Sequence, residues 1–355
     1  MAINKSENYP TIEQVLEHPA YPSSIWRLVP TRSGRLPVAE GRGGPLNISW
    51  EIHGSGPTKV VFIMGLGSFK TSWQRQTLHF GHEHGDKYSA LLLDNRGMGD
   101  SDRPLFRYST SEMALDVLEV LDHVGWTAAR SVHVVGVSMG GMISQELACV
   151  APSRVASLSL ISTAAEVNGN DKGFVENLLN RAALLIPRGV EVSVRNGARR
   201  IFSHHWLAAP DDSPLPAKGT PGVEMPPDGG EYRRFGTNYE RFVAQEMHKR
   251  SHKGFTTPGF LLQLIACGWH HKSREQLAKM ADEVGRDRIT VLHGTADEMI
   301  SVAHGRVLVD AIQPKHAIFL EDLGHAIPME RTEWFNSMLK ERIKEAEGLE
   351  CGPAK

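Results

Sequence analysis

The sequence has little cysteine, and what it has is scattered. Cys149, Cys267 and Cys351 are its only three. They form no CxxC pair and no even-numbered framework, which excludes a disulfide scaffold and points to a reducing compartment. An excess of one charge is also lacking: 39 basic against 41 acidic side chains leave a formal net charge of -2. Neither nucleic acid nor an anionic membrane is an expected partner on that balance. The opening MAINKSENYP has no apolar signal core, no apolar run approaches a membrane span, and the final PAK is not a peroxisomal address. A soluble, cytoplasmic protein is expected. Internal repeats are absent too. So are the glycine patterns of nucleotide sites. In MGLGSFKTSW, Met64 stands where a phosphate loop needs its first glycine, and Phe69 where it needs glycine before Lys70. Lys70 itself takes the third glycine position of GxGxxG.

What is present is enough apolar sequence, 41% of 355 residues, for one large domain or a domain with an insertion. Short continuous apolar runs predict strands at Val60 to Ile63, Leu91 to Leu93, Val132 to Val137, Val155 to Ile161, Ile289 to Leu292 and Ala317 to Leu320. Runs without alternation suit strands covered on both faces, as in a parallel sheet. Helical patterns lie between them. In SEMALDVLEVLDHVG, the stripe Met113, Val117, Val120, Leu121 and Val124 follows Ser109 and Glu112 at capping-box spacing, and Gly125 closes the helix. The alternation implies an α/β fold with a mostly parallel, doubly wound sheet. LNISWEIHGSGP reads as an edge strand, and residues 1–24 as an extension carrying little fold information.

The alternation breaks between Glu166 and Thr257, where no sheet strand is evident. Helix-like pieces there surround AAPDDSPLPAKGTPGVEMPPDGG, a stretch over 208–230 too rich in proline and glycine for one regular element. Long loops of this kind are usually lids or disordered. The expected organisation is therefore an N-terminal extension (1–24), a core (25–165 and 258–350) and an inserted, mainly helical cap or lid (166–257). A helix from Glu330 to Ala346 closes the chain.

HVVGVSMGGM places Ser138 between Gly136 and Gly140, where a buried run turns into a helix pattern. A serine hydroxyl is a weak nucleophile at neutral pH and needs a base and a site for the developing oxyanion. A sharp strand-to-helix turn supplies exposure, and helix-start amides favour negative charge. The base and acid are then expected after later strands. ITVLHGTADEMIS delivers Asp297 and AIFLEDLGHAIPME delivers His325, both beyond carboxyl ends of strands, where such sheets place ligands. His325 would take the proton of Ser138, and Asp297 would orient and stabilise the imidazole. Glu166, just past an earlier strand, competes with Asp297 as the acid. For the oxyanion, the amides of Met139, which follows the serine, and Leu66, between Gly65 and Gly67, are the expected donors.

These residues together resemble the α/β-hydrolase fold superfamily, in its esterase, lipase and thioesterase-like branch. MGLGS resembles an oxyanion loop. LLLDNRGMGDSDRP resembles the D-x-R-G-x-G-x-S segment, and GVSMGG, HGTADEMI and LGHAIPME complete the set. QLIACGWHHKS is similar to a segment seen after the cap in some eukaryotic relatives. The resemblance covers about Trp50 to Lys344. It implies structural roles for Asp94, Arg96 and Gly97. Serine at the elbow separates the chain from dehalogenase and epoxide-hydrolase branches, which carry aspartate; haloperoxidase-like members keep serine.

Seventeen histidines raise a metal site, at His79, His82 and His84 or at His270 and His271. With no HExxH and no CxxC, locally bonded histidines are the expected reading and no metal or cofactor is assigned. Phe202, Trp206 and Leu207, with Phe174, Leu178 and Leu185, either line a pocket or pack a cap. The function expected is hydrolysis of a carboxylic ester of a small or medium apolar molecule through an acyl-enzyme. Acyl transfer, lactone or C–C bond hydrolysis on the same triad, or slow-turnover ligand reception, are the alternatives. The partner is a small-molecule ester; no oligomeric state is assigned.

Overall fold

The computed structural model describes residues 9–167, 189–227 and 229–349. Eight strands form one sheet: β1 (Arg32–Val38), β2 (Leu46–His53), β3 (Thr58–Ile63), β4 (Tyr88–Leu93), β5 (Val132–Val137), β6 (Val155–Ile161), β7 (Ile289–Gly294) and β8 (His316–Leu320). Their order is β8-β7-β6-β5-β3-β4-β2-β1. β3 to β8 run parallel, while β2 is antiparallel to both β1 and β4.

The continuous apolar runs are explained by burial on both faces. Val61 and Ile63 of β3 join Val134 and Leu158 in one core, while Val60 and Phe62 join Val135 and Ile161 in another. The first core is closed by helices Thr110–His123, Met139–Val150, Arg274–Val284 and Val302–Ile312; the second is closed by Phe335, Leu339 and Ile343 of helix Thr332–Glu347. Each such side chain contributes about 1.5–3 kcal/mol by leaving water. The expected stripe of helix Thr110–His123 is buried, Ser109 caps it through the Glu112 amide, and Gly125 follows at φ +81°. Glu112 does not complete the box; its carboxylate is taken by Arg42.

Three sequence expectations are corrected. β2 is not an edge strand, since β1 covers it. The sequence of β1, RSGRLPV, hides the strand because an edge strand with one exposed face needs no apolar run and tolerates Pro37. Part of the 1–24 extension carries fold: Ile12–Leu16 is a helix with a Thr11/Gln14 capping box, and Val15 and Ala20 are buried against Val194, Phe202 and Tyr239. Between 166 and 257 the described residues are helical at Val190–Ile201, His204–Ala208 and Asn238–Ser251, but a two-residue strand, Val223–Glu224, does pair with Arg27–Leu28. The proline-rich stretch is laid onto the core. The Val29 amide donates to Gly222 O (2.8 Å), and Leu215, Val223 and Met225 pack around Trp26, Leu78 and Tyr232.

Candidate active site

β5 is buried along its whole length and ends at Ser138, which takes φ 57°, ψ -123° before helix Met139–Val150 begins. A non-glycine residue there costs about 1–3 kcal/mol and must be held. Ser138 N–H donates to Ile161 O (2.9 Å), and Thr163 Oγ1 donates to Ser138 O (2.7 Å). The flanking glycines are steric necessities. A Cβ on Gly136 would lie 2.3 Å from Gly140 O, and one on Gly140 would lie 2.1 Å from Ile63 O. Ser138 is only half-buried, so the turn lifts its hydroxyl out of the core.

The loop after β3 passes beside it. A Cβ on Gly65 would sit 3.0 Å from Ser138 Cβ and 3.5 Å from its Oγ. Among the described residues, the amides of Leu66 and Met139 have no hydrogen-bond partner. Met139 opens its helix, where the first amides are orphaned and the dipole is positive. The loop is fixed from both sides: Asn95 Nδ2 donates to Met64 O (2.9 Å), and Gly67 N–H donates to Gln263 Oε1 (2.9 Å). Lys70, the residue that brought a phosphate loop into question, is buried with Nζ 2.9 Å from Asp94 Oδ2. Arg96 forms a two-pronged pair with Asp116, both contacts 2.6 Å, and Gly97 is at φ +95° where a Cβ would lie 2.2 Å from the Tyr108 hydroxyl. Asp94, Arg96 and Gly97 thus support the loop rather than face it.

Asp297 follows β7 and His325 follows β8; both are over nine-tenths buried. His325 Nδ1 lies 2.7 Å from Asp297 Oδ2, while Asp297 Oδ1 accepts the amides of Met299 (2.8 Å) and Ile300 (2.9 Å). Burial pushes the Asp297 carboxyl up, but the His325 charge and hydrogen bonds from His293 and His325 outweigh it and hold the group well below the usual carboxylate range. An ionised Asp297 makes Nδ1 of His325 the donor and leaves Nε2 open. Ser138 Oγ makes no hydrogen bond among the described residues, so the hydrogen bonds join Asp297 to His325 and do not extend to Ser138. Glu166 stands elsewhere, paired with His271 Nδ1 at 2.9 Å on the surface. Asp297 is the carboxylate that meets His325 among the described residues.

Three residues near this arrangement escaped the sequence reading. His293 reaches the same Asp297 oxygen at 3.2 Å. Glu330 accepts Gly324 N–H (2.9 Å) through Oε1 and the Ser203 hydroxyl (2.7 Å) through Oε2, joining the His325 loop to the helical layer. The His325 amide itself donates to Ile201 O (2.7 Å). Gln263 is the third. HGTADEMI contains His293, LGHAIPME contains Glu330 and QLIACGWHHKS contains Gln263, but none of these segments named a role for them.

Phe202, Trp206 and Leu207 resolve as packing: they are buried among themselves, Tyr239 and Phe242, with Phe202 and Trp206 stacked at 4.5 Å. Phe174, Leu178 and Leu185 lie outside the described residues. Of the histidines, His82 turns inward to His53 (2.9 Å) and Pro221 O (2.7 Å), and His270 is buried against Thr110 Oγ1 (2.9 Å). Among the described residues, His79, Glu83 and His84 are the group near enough to share a metal, their ligand atoms within 4.8 Å of one another. His79 Nδ1 is bonded to Glu83 (3.2 Å) and His84 Nδ1 to His79 O (3.1 Å). No described helix is long and apolar enough to cross a membrane.

Comparison with known proteins gives the family and the fold. A family model described as alpha/beta hydrolase fold matches residues 59–332. The chain is 32% identical over 174 residues to a putative carbamate hydrolase, RutD, of Azorhizobium caulinodans, covering 49% of this chain and 60% of that protein. It is 30% identical over 155 residues to 3-oxoadipate enol-lactonase 2 of Acinetobacter baylyi, covering 44% and 52%. The chain thus spans little more than half the length of these relatives. A thermophilic esterase from Thermogutta terrifontis superposes with a TM-score of 0.64 at 18% identity, over 89% of this chain and 99% of that one.

Proposed function

This chain belongs to the α/β-hydrolase fold family, and we propose that within it the chain is a serine hydrolase cleaving a carboxylic ester of a small or medium apolar molecule. The observation that carries the reading is the strained turn at Ser138, which lifts the hydroxyl out of the core next to the Gly65 loop, with the amides of Leu66 and Met139 unpartnered among the described residues. Ser138 Oγ attacks the ester carbonyl carbon as its proton passes to His325 Nε2. The carbonyl oxygen becomes an oxyanion facing the two amides, each worth about 3–4 kcal/mol to such a charge. Collapse breaks the bond to the alcohol oxygen, which takes the proton from His325, and an acyl ester remains on Ser138. Water, deprotonated by His325, attacks that ester; the proton returns to Ser138 and the acid leaves. Asp297 keeps the histidine in the required tautomer and offsets its positive charge. These steps use side chains, the two backbone amides and water.

Residues 166–257 act in this reading as the cap. Ile201 and Ser203 meet the His325 loop from that segment, so its placement shapes and dries the site. The similarity to a carbamate hydrolase and an enol-lactonase widens the scissile bonds to be tried to carbamates and lactones.

The test is a burst and steady-state assay on nitrophenyl esters from acetate to long acyl chains, with carbamates and lactones alongside. Ser138→Ala and fluorophosphonate-treated protein serve as references. Turnover that disappears in both supports the reading, and the acyl-length optimum bounds the pocket. Labelling of Ser138 without turnover on any of these bonds moves the assignment to a ligand receptor or an acyl-transfer enzyme. Turnover that survives Ser138→Ala overturns it.

A further inference from the structure

The segment QLIACGWHHKS lies in helix Thr257–Trp269 and its exit, outside the catalytic steps. Gln263, in the middle of that helix, is fully buried. Its side chain is used at both ends: Oε1 accepts the Gly67 amide at 2.9 Å, and Nε2 donates to Arg96 O at 2.9 Å. We propose that Gln263 is the positioning residue of the oxyanion site, clamping the Leu66–Gly67 peptide so that the neighbouring Leu66 amide stays free and directed at the substrate carbonyl. The proposal rests on the reading of Ser138 as nucleophile.

The physical case has three parts. First, the loop carries its free donor between two fixed points. Asn95 holds the Met64 carbonyl on one side and Gln263 holds the Gly67 amide on the other, with the Leu66 N–H unpartnered among the described residues between them. Without Gln263, the loop beyond Leu66 loses its anchor, and concerted rotation about Gly65 ψ and Leu66 φ can turn the Leu66 N–H away. The glycines on either side of Leu66, with Gly67 at φ +67°, offer little resistance to that motion.

Second, the anchor is itself immobile. Arg96, whose carbonyl receives Gln263, is buried in its two-pronged pair with Asp116. The helix sits close at two more points. A Cβ on Gly259 would lie 2.1 Å from Gly97 O, and a Cβ on Gly67 would lie 2.7 Å from the Phe260 ring. Third, the chemistry is particular to a primary amide. One end must accept from N–H and the other must donate to C=O, which an ionised glutamate cannot do and leucine does at neither end.

Gln263→Leu and Gln263→Glu test it, on a nitrophenyl ester that the wild type turns over. Three quantities are read: kcat, KM, and the inhibition constant of a trifluoromethyl ketone, which forms a tetrahedral oxyanion on the serine. We expect kcat to fall by about 10- to 100-fold with KM within about threefold, because a displaced donor is lost in the transition state and not in the ground state. Affinity for the ketone should fall in parallel with kcat/KM. In Gln263→Glu the loss should ease as pH falls and the new carboxyl regains a proton to donate. Variants that melt like the wild type and keep kcat and ketone affinity within about twofold overturn the proposal. So does failure of both variants to fold, which would make Gln263 a fold residue only. A wild type that neither turns over esters nor reacts with a fluorophosphonate removes the hydrolase reading itself. A reactive wild type matched by its variants removes only the role of Gln263.

Discussion

His293 and Asp297 meet at the end of β7, with His293 Nε2 3.2 Å from Asp297 Oδ2. The same oxygen meets His325. One buried carboxylate thus serves two imidazoles, while its other oxygen takes two backbone amides. This full set of donors is what keeps the group ionised at its depth.

The choice of acid follows from that set. Asp297→Asn should lower kcat on any ester the protein cleaves by about 10³–10⁴-fold, since the amide orients His325 in the wrong tautomer. Glu166→Gln, at a surface pair with His271, should leave kcat within about twofold. Steady-state kinetics of the two variants side by side checks both, and the opposite ranking would reassign the acid.

Acid stability carries the signature of the same group. The Asp297 carboxyl is held low in the folded protein, whereas in the unfolded chain it titrates near the ordinary value of about 4. Its stabilising contribution is therefore complete above about pH 4 and is lost as pH falls from there towards the folded value. The melting-temperature gap between wild type and Asp297→Asn should narrow as pH falls from about 5 to about 2. Thermal melts across that range measure it.

Ser138 sits at φ 57°, a conformation glycine adopts without strain. Ser138→Gly should abolish turnover and raise stability by roughly 0.5–1 kcal/mol, the strain relieved less the entropy glycine brings to the unfolded chain. Denaturant melts compared with Ser138→Ala, which keeps the strain, isolate the effect.

Glu330 should matter through what it holds. Its carboxyl is pushed up by burial, against the hydrogen bonds from Ser203 and Gly324. Glu330→Ala leaves the buried donor of Gly324 unmet and should cost about 1–3 kcal/mol. Because Gly324 precedes His325, kcat should fall in the same variant. Glu330→Gln, which keeps an acceptor at the site, should recover part of both. Melting and kinetics on the pair decide it.

Much of this architecture was legible in the chain. Six apolar runs became β3 to β8: β3 to β7 are covered by neighbours and largely buried, so their composition is mostly apolar, while β8 lies at the sheet edge and is only partly buried. GVSMG announced its turn because the close approaches at Gly136 and Gly140 admit no Cβ, a demand that sequence states in glycine. The order of Ser138, Asp297 and His325 followed from where those strands end. By contrast, β1 was invisible because its exposed face imposes no apolar pattern, and the burial of Val15 and Ala20 depends on a surface that residues near 200 and 240 supply.

The tertiary structure alone decided the partners. Gln263 reaches Gly67 across 196 positions, and Glu330 reaches Ser203 across 127. A glutamine inside a helix and a glutamate near a helix start read as ordinary polar residues, since periodicity reports burial and not the identity of the group at the far end of a hydrogen bond. The same holds for the acid: Glu166 and Asp297 both follow strands, and only folding put one against His325 and the other on the surface with His271. Local sequence determined which residues could do chemistry. Which of them meet is set by the packing of segments far apart in the chain, where a displacement of about an ångström makes or breaks a hydrogen bond.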